Sequence, residues 1–435
     1  MIGADYPWHL SLMVNWVPVL FAFAFGACVG SLINVLVYRL PLGLPVVLPS
    51  SRCPKCETKL TWRENIPIAG WIMLGGRCRF CRSRISAEYP IVEAIVAGLF
   101  AVTYVICYLP HSVTAGVDLS WLAAVQPEWA KNGFVQTWPT FVTLLILIGS
   151  LVAMTMVDFR TFTIPLVLTW VPVVVAVVLH PVNALIVSPG LRYSAGSLGD
   201  WVIAGPGGNG WWWLGASLGG VVGIAVALGL LRMGWVGRSF ADYDEWEANA
   251  IAKLREQNPG SQQPQADSPE LWVRYPHARR EMIRELAFLA APVGLAWAGG
   301  SLTQHLAAEQ PMPLVLQALA AVGMGYFVGA AVVWGVRIFG SLAFGKEAMG
   351  LGDVHVLAAI GACMGWPDAV MSFFAAVVVG LFSAIIGAAR GGATARMLAF
   401  GPCLAVGALL VLYGKPLFEL GITALVRSPQ PINLP

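Results

Sequence analysis

Residues 138–165 read WPTFVTLLILIGSLVAMTMVDFRTFTIP. Positions 138–157 carry no charge, and only then does Asp158 appear, seven residues before Pro165 opens the next apolar run. At about 1.5 Å of rise per residue such a run crosses a hydrocarbon layer of about 30 Å. The segment therefore predicts a transmembrane helix ending on an aspartate. Comparable runs lie near 15–38, 91–109, 164–187, 211–232, 285–303, 314–338, 368–389 and 397–414, with a shorter one at 353–366. The expected fold is an all-α polytopic membrane protein of about 8–10 transmembrane helices. Composition agrees: 57% of the 435 residues are hydrophobic and 11% charged, against about 25% charged in soluble domains. The 18 tryptophans and 47 glycines suit membrane helices and their interfaces. A net charge of only +3 offers no bulk attraction for nucleic acid, so the bilayer is the expected partner and nucleic acid is not. The opening MIGADYPWHLSLMVNW lacks a basic n-region, which predicts a retained anchor rather than a cleaved signal.

Orientation follows from lysine and arginine. The loop 39–90 holds nine of them, whereas 110–137 holds only Lys131 and 188–210 only Arg192. The positive-inside rule then predicts that loop 39–90 is cytoplasmic and the N-terminus outside. Alternation carries Asp158, the loop 233–284 and the segment 339–352 to the cytoplasmic side. The centre of loop 233–284, REQNPGSQQPQADSP, reads as a partly disordered insertion between helical flanks. No internal repeat is visible.

Within the basic loop stands CPKCETKLTWRENIPIAGWIMLGGRCRFC, residues 53–81. Cytoplasmic cysteines are kept reduced, which disfavours disulfides. Two Cys-x2-Cys turns, Cys53/Cys56 and Cys78/Cys81, present four thiolates with the spacing of a structural zinc site. Metal-free reduced cysteines are the plainer alternative. Four cysteine ligands leave no open coordination position, so this zinc would brace a small loop domain and the chemistry must lie elsewhere.

Ionisable residues at the ends of apolar helices are costly and are functional candidates. Asp158 sits in TMVDFRTFTIP and Asp353 in MGLGDVHVLAAIGACMGW, nearly two hundred residues apart yet expected at the same depth. Two carboxylates in one low-dielectric site do not both ionise easily, which yields one base and one acid around a water, as aspartic proteolysis requires. Glycines in Gly350-Leu351-Gly352-Asp353 allow close backbone approach. Structural readings compete: an Asp158–Arg160 salt bridge, and Asp353 as a helix N-cap. A transporter or assembly scaffold using both aspartates as ion ligands is the functional alternative.

The order of these pieces resembles the type IV prepilin peptidases, the leader peptidase/N-methyltransferases of the bacterial inner membrane. The resemblance rests on GSLINVLVYRLP from Gly30, ENIPIAGW between the knuckles, ISAEYPIVEAIVAGLF around Glu93, Asp158 with Pro165, GLGDVHVLAAIGACMGW, and FGPCLAVGALL from Phe400. It implies that Asp158 and Asp353 are the catalytic pair of a Gly-x-Gly-Asp membrane peptidase. It also implies prepilin or pseudopilin substrates, cleaved on the cytoplasmic face after a leader ending in Gly, and methylation of the new N-terminus with S-adenosyl-L-methionine. Three features depart from the family pattern. VDFRTFTIP lacks a second acidic residue, His355 stands where lysine is common, and 188–312 has no recognised counterpart. The expected organisation is a first transmembrane helix (1–38), a cytoplasmic four-cysteine zinc-knuckle domain (39–90), and helices carrying Asp158 (91–187). The atypical insertion (188–312) and a core with the second aspartate (313–435) complete it. Asn34 is expected to bridge helices, the commoner role, or to line the substrate groove, and Arg39 to anchor at the interface; Glu93 is left between bundle, substrate and cofactor.

Overall fold

The computed structural model describes residues 8–109, 113–114, 117–118, 120–161, 163–187, 203, 205, 210–257, 277–307, 309–345, 347–389 and 400–427. GPGGNG at 205–210 and the centre of loop 233–284 fall largely outside them. Among the described residues twelve α-helices follow one another: α1 (Trp8–Arg39), α2 (Ala69–Met73), α3 (Glu88–Tyr108), α4 (Phe134–Thr161), α5 (Leu166–Val187) and α6 (Gly210–Arg232). Then come α7 (Tyr243–Gln257), α8 (Ala278–Ala307), α9 (Leu314–Phe344), α10 (Leu351–Met364), α11 (Trp366–Ala389) and α12 (Phe400–Val426). Nine of these, among the described residues, are long and apolar enough to cross a membrane, within the expected range. A two-residue antiparallel pair, Val113–Thr114 with Val117–Asp118, is the only strand structure among the described residues.

Lipid supplies no hydrophobic drive between helices, so close packing must hold them, and small residues four apart make it possible. A Cβ on Gly26 or Gly30 of α1 would lie 2.8 or 2.6 Å from the backbone of Ala97 or Glu93 on α3. On α9, Gly325 and Gly329 likewise meet the Gly361 and Leu357 carbonyls of α10, at 1.9 and 2.4 Å. In α6, Gly215, Gly219 and Gly223 bring α8 equally near.

The short run near 353–366 becomes α10, with 14 residues and every position from 356 to 364 buried. It need not span lipid, because protein surrounds it. Gly365 turns the chain into α11, whose Ala369 faces Gly361. Two helices outrun their apolar signal. α8 starts at Ala278 rather than near 285, because Glu281 and Glu285 are buried and hydrogen-bonded instead of solvated. α12 continues past 414 across a kink at Gly414, with Lys415 paired to the buried Asp368 at 3.1 Å.

The cysteine loop is one turn built twice. Cys53 N–H donates to the Thr58 carbonyl, and the Cys53 carbonyl accepts Glu57 N–H; Cys78 repeats the pattern with Ser83 and Arg82. Glu57 and Arg82 both adopt left-handed backbone, φ 55° and 56°, which folds each turn over its own thiols. Arg39 ends α1 by donating to the Pro45, Val46 and Pro49 carbonyls, which ties it into the loop that leads to the knuckles.

Candidate active site

One end of the bundle gathers the C-termini of α1, α4 and α9 and the N-termini of α3, α8, α10 and α12. Asp158 occupies the last turn of α4 and Asp353 the first turn of α10, and both are buried, at 6% and 8% exposed. Ile164, in the short link after α4, makes them one site. A Cβ on Gly352 would meet Ile164 at 3.1 Å, and one on Gly401 at the start of α12 would meet it at 3.3 Å. Gly401 also donates its backbone N–H to Asp158, and its missing side chain leaves room for the carboxylate, whose Oδ2 would lie 2.6 Å from a Cβ there. Asp353 accepts the Gly350 N–H, and the charges of Asp158 and Arg337 both act on it.

The competing structural readings are therefore decided separately. Arg160 pairs with Glu88 on α3, so it holds α4 to α3 rather than neutralising Asp158. Gly350, not Asp353, is the N-cap of α10; Asp353 stands three residues in and reaches back to the N-cap amide. That is a helix-start role, and it leaves the carboxylate within the electrostatic reach of Asp158's.

The four knuckle thiols lie within 4.8 Å of one another, with Cys53–Cys81 Sγ at 3.7 Å and Cys56–Cys78 at 3.9 Å. Zn–S bonds of about 2.3 Å in a tetrahedron require S···S separations near ~3.8 Å, so the donor set fits a zinc ion. Backbone N–H groups of Cys56 and Lys55 draw the Cys53 thiol down to about 6 despite its desolvation, and Ser83 lowers that of Cys81. Against the Cys81 and Phe80 amides of its own turn, burial and the neighbouring Cys81 and Cys53 thiols raise the Cys78 thiol instead. The turn amides themselves favour thiolate, the form that binds metal. Arg79 lies 3.7 Å from Glu64 and stacks on Phe80, which keeps that cation within the loop domain.

Glu93 joins this loop to the membrane helices. Glu93 Oε2 accepts the Ile68 N–H at 2.6 Å, and Ile68 has φ 59°. Asn34 Nδ2 donates to the Tyr89 carbonyl at 3.1 Å, bridging α1 to α3 as expected. His355 is half-buried on α10. The sequence reading missed Arg337, Glu281 and Glu285, all at most 3% exposed. An arginine seven positions before the end of the long apolar helix α9 was the available signal.

The fold is that of a polytopic helical membrane protein with two buried carboxylates among helix ends and a separate four-thiol loop. Residues 24–107 match the Bacterial Peptidase A24 N-terminal domain, and residues 279–385 match the Type IV leader peptidase family. Over these two stretches the chain is similar to the type IV leader peptidase family. It is similar to a prepilin leader peptidase/N-methyltransferase of Myxococcus xanthus, 48% identical over 21% of this chain and 28% of the relative. Another of the same name in Klebsiella pneumoniae is 41% identical over 18% of this chain and 38% of its own length. A type 4 prepilin-like proteins leader peptide-processing enzyme of Escherichia coli is 33% identical over 27% of this chain and 53% of its own length. The chain thus spans from about a quarter to about half of the curated relatives it matches. No solved structure matches. Asp353 and the knuckles lie inside the matched ranges, while Asp158 lies between them. The second match begins at 279, within the stretch 188–312 that the motif resemblance left without a counterpart.

Proposed function

We propose that this chain is a membrane aspartic endopeptidase that removes the N-terminal leader of type IV prepilins or pseudopilins at the cytoplasmic face. The observation that carries this reading is the buried pair Asp158 and Asp353, delivered by distant helices to one Ile164-lined site. One aspartate, ionised, takes a proton from water as the oxygen adds to the carbonyl carbon of the leader's last residue. The other, protonated, gives its proton to the departing amide nitrogen as the C–N bond breaks. Water's OH ends on the leader and its hydrogen on the pair, so one proton shared between two carboxylates is restored after each turnover. Gly350, where an added Cβ would come no nearer than 3.5 Å to any neighbour, leaves backbone room for an extended peptide beside Asp353.

The names of the relatives support a second step, methylation of the new N-terminus with S-adenosyl-L-methionine. The knuckle loop is assigned structural zinc on Cys53, Cys56, Cys78 and Cys81, and a role in presenting the leader or supporting methyl transfer. Its bond to Glu93 supplies a mechanical link from loop to bundle. The nine basic residues of 39–90 support a cytoplasmic placement of both loop and aspartates, in a bacterial inner membrane.

The test is co-expression with a precursor bearing a short basic leader that ends in Gly, followed by intact mass. Loss of the leader mass is the expected result, with one further methyl if both steps operate. A precursor that keeps its leader removes the peptidase reading and returns the transporter or scaffold alternative. For the metal, elemental analysis of the purified chain is expected to give one zinc per chain. Cys78→Ser should lose it, with damage to folding or methylation greater than to bond cleavage. A zinc-free wild-type chain with full activity removes the metal assignment.

A further inference from the structure

We propose that Arg337 is a positioning residue for the peptidase site, and that the base of α8 completes it by supplying Glu285. This inference rests on the peptidase reading of Asp353.

Arg337 lies within the apolar stretch of α9, where a charged side chain is costly unless paired and hydrogen-bonded. It is 3% exposed, and so is its partner: Nε donates to Glu285 Oε1 at 2.7 Å. Nη1 donates to Glu347 and to the Met349 carbonyl, both in the link between α9 and α10. Ser341 Oγ accepts the Ala348 N–H of the same link at 3.1 Å. The chain leaves α9 through the left-handed Gly345, φ 68°, so nothing helical fixes it again until Gly350 caps α10. Arg337 therefore grips the segment directly before Gly350-Leu351-Gly352-Asp353. Three donor contacts from one planar fork set where that turn lies.

The fork is itself oriented from α8. Glu285 Oε2 accepts Trp334 Nε1 at 2.8 Å, and Ser239 Oγ donates to Oε1 at 3.0 Å. One turn earlier Glu281, 1% exposed, accepts the Phe240 N–H at 2.8 Å. The Phe240 ring lies under the Arg337 guanidinium at 5.4 Å. The buried acids thus each meet donors, and the chain of contacts is Ser239–Phe240, then Glu285, Arg337, Glu347 and Met349, four residues before Asp353. A stability role alone does not require the guanidinium to hold the link that carries Asp353. Positioning does.

The test uses the full-length chain and a purified precursor, with kcat and KM measured separately. The double substitution Glu285→Leu with Arg337→Met removes the pair at similar volume and leaves neither member of that pair as an unmatched charge, a replacement that folds often tolerate. Its kcat is expected to fall by about tenfold or more, with KM within about threefold, because misplacement by about an ångström costs rate rather than binding. Arg337→Lys, which keeps the charge and loses the fork, is expected to fall with it. Glu347→Gln leaves the Arg337–Glu285 pair intact and is the arm to read if the double variant does not fold; its kcat too should drop. Folded variants with kcat within about twofold of wild type overturn the positioning role. Wild-type chain that leaves the precursor uncut overturns the peptidase reading and this inference with it.

Discussion

Replacing either Asp158 or Asp353 with asparagine should lower leader cleavage by about 10²–10⁴-fold or more, the range that a positioned acid or base contributes. Asparagine keeps the volume and an oxygen for the Gly401 or Gly350 amide, so these contacts survive. What is lost is the ability to exchange a proton. The double variant should be no worse than the poorer single one, since the two carboxylates act on one water as a unit. Thermal unfolding should run the other way. Both groups are buried and bear on one another, so neutralising one removes a desolvated charge and should leave the midpoint unchanged or raised. Retained cleavage in either single variant, measured by the mass of the product, sinks the catalytic pair.

Gly401→Ala should cost about 10²-fold in cleavage while leaving the chain folded. The added Cβ would stand 2.6 Å from Asp158 Oδ2 and 3.3 Å from Ile164 Cδ1. A carboxylate can rotate away from a methyl at little expense, and alanine favours a helix over glycine by up to about 1 kcal/mol. Folding is therefore spared where catalysis is not, because a carboxylate displaced by about an ångström no longer meets its water. The contrast with Gly325 is instructive. There the Cβ would lie 1.9 Å from the Gly361 carbonyl, backbone against backbone, so Gly325→Ala should loosen the α9–α10 contact and lower stability. Rates for the two variants, set against their unfolding midpoints, separate the effects. A Gly401→Ala chain within about threefold of wild type would show that the Asp158 pocket has slack.

The distance between sequence and structure differs from one element to the next. Cys53-x2-Cys56 and Cys78-x2-Cys81 announce their site locally, because each turn aims its own two thiols and needs only one long-range meeting. The aspartates were visible as charges on apolar runs, and their common depth followed from alternation. Their proximity did not follow, since it depends on Ile164 fitting between Gly352 and Gly401, which no spacing encodes. Arg337 was passed over, although an arginine in an apolar run was a signal to be read. Its partners were not legible, because the charged ARREMIREL before the α8 apolar run reads as a solvated flank until burial shows Glu281 and Glu285 turned inward.

Hydrophobic length and charge bias are properties of single segments, and a bilayer reads them one segment at a time. Residue order alone is therefore enough to make this chain helical and polytopic, to divide its spans, and to put four cysteines in one loop. Which helices touch depends instead on close backbone approach, and 47 glycines offer far more candidate faces than the fold uses. It took the packed bundle to bring α4, α10 and α12 together at one end and to set Asp158 beside Asp353 there. The same packing carries α8 to that end through Glu285 and Arg337.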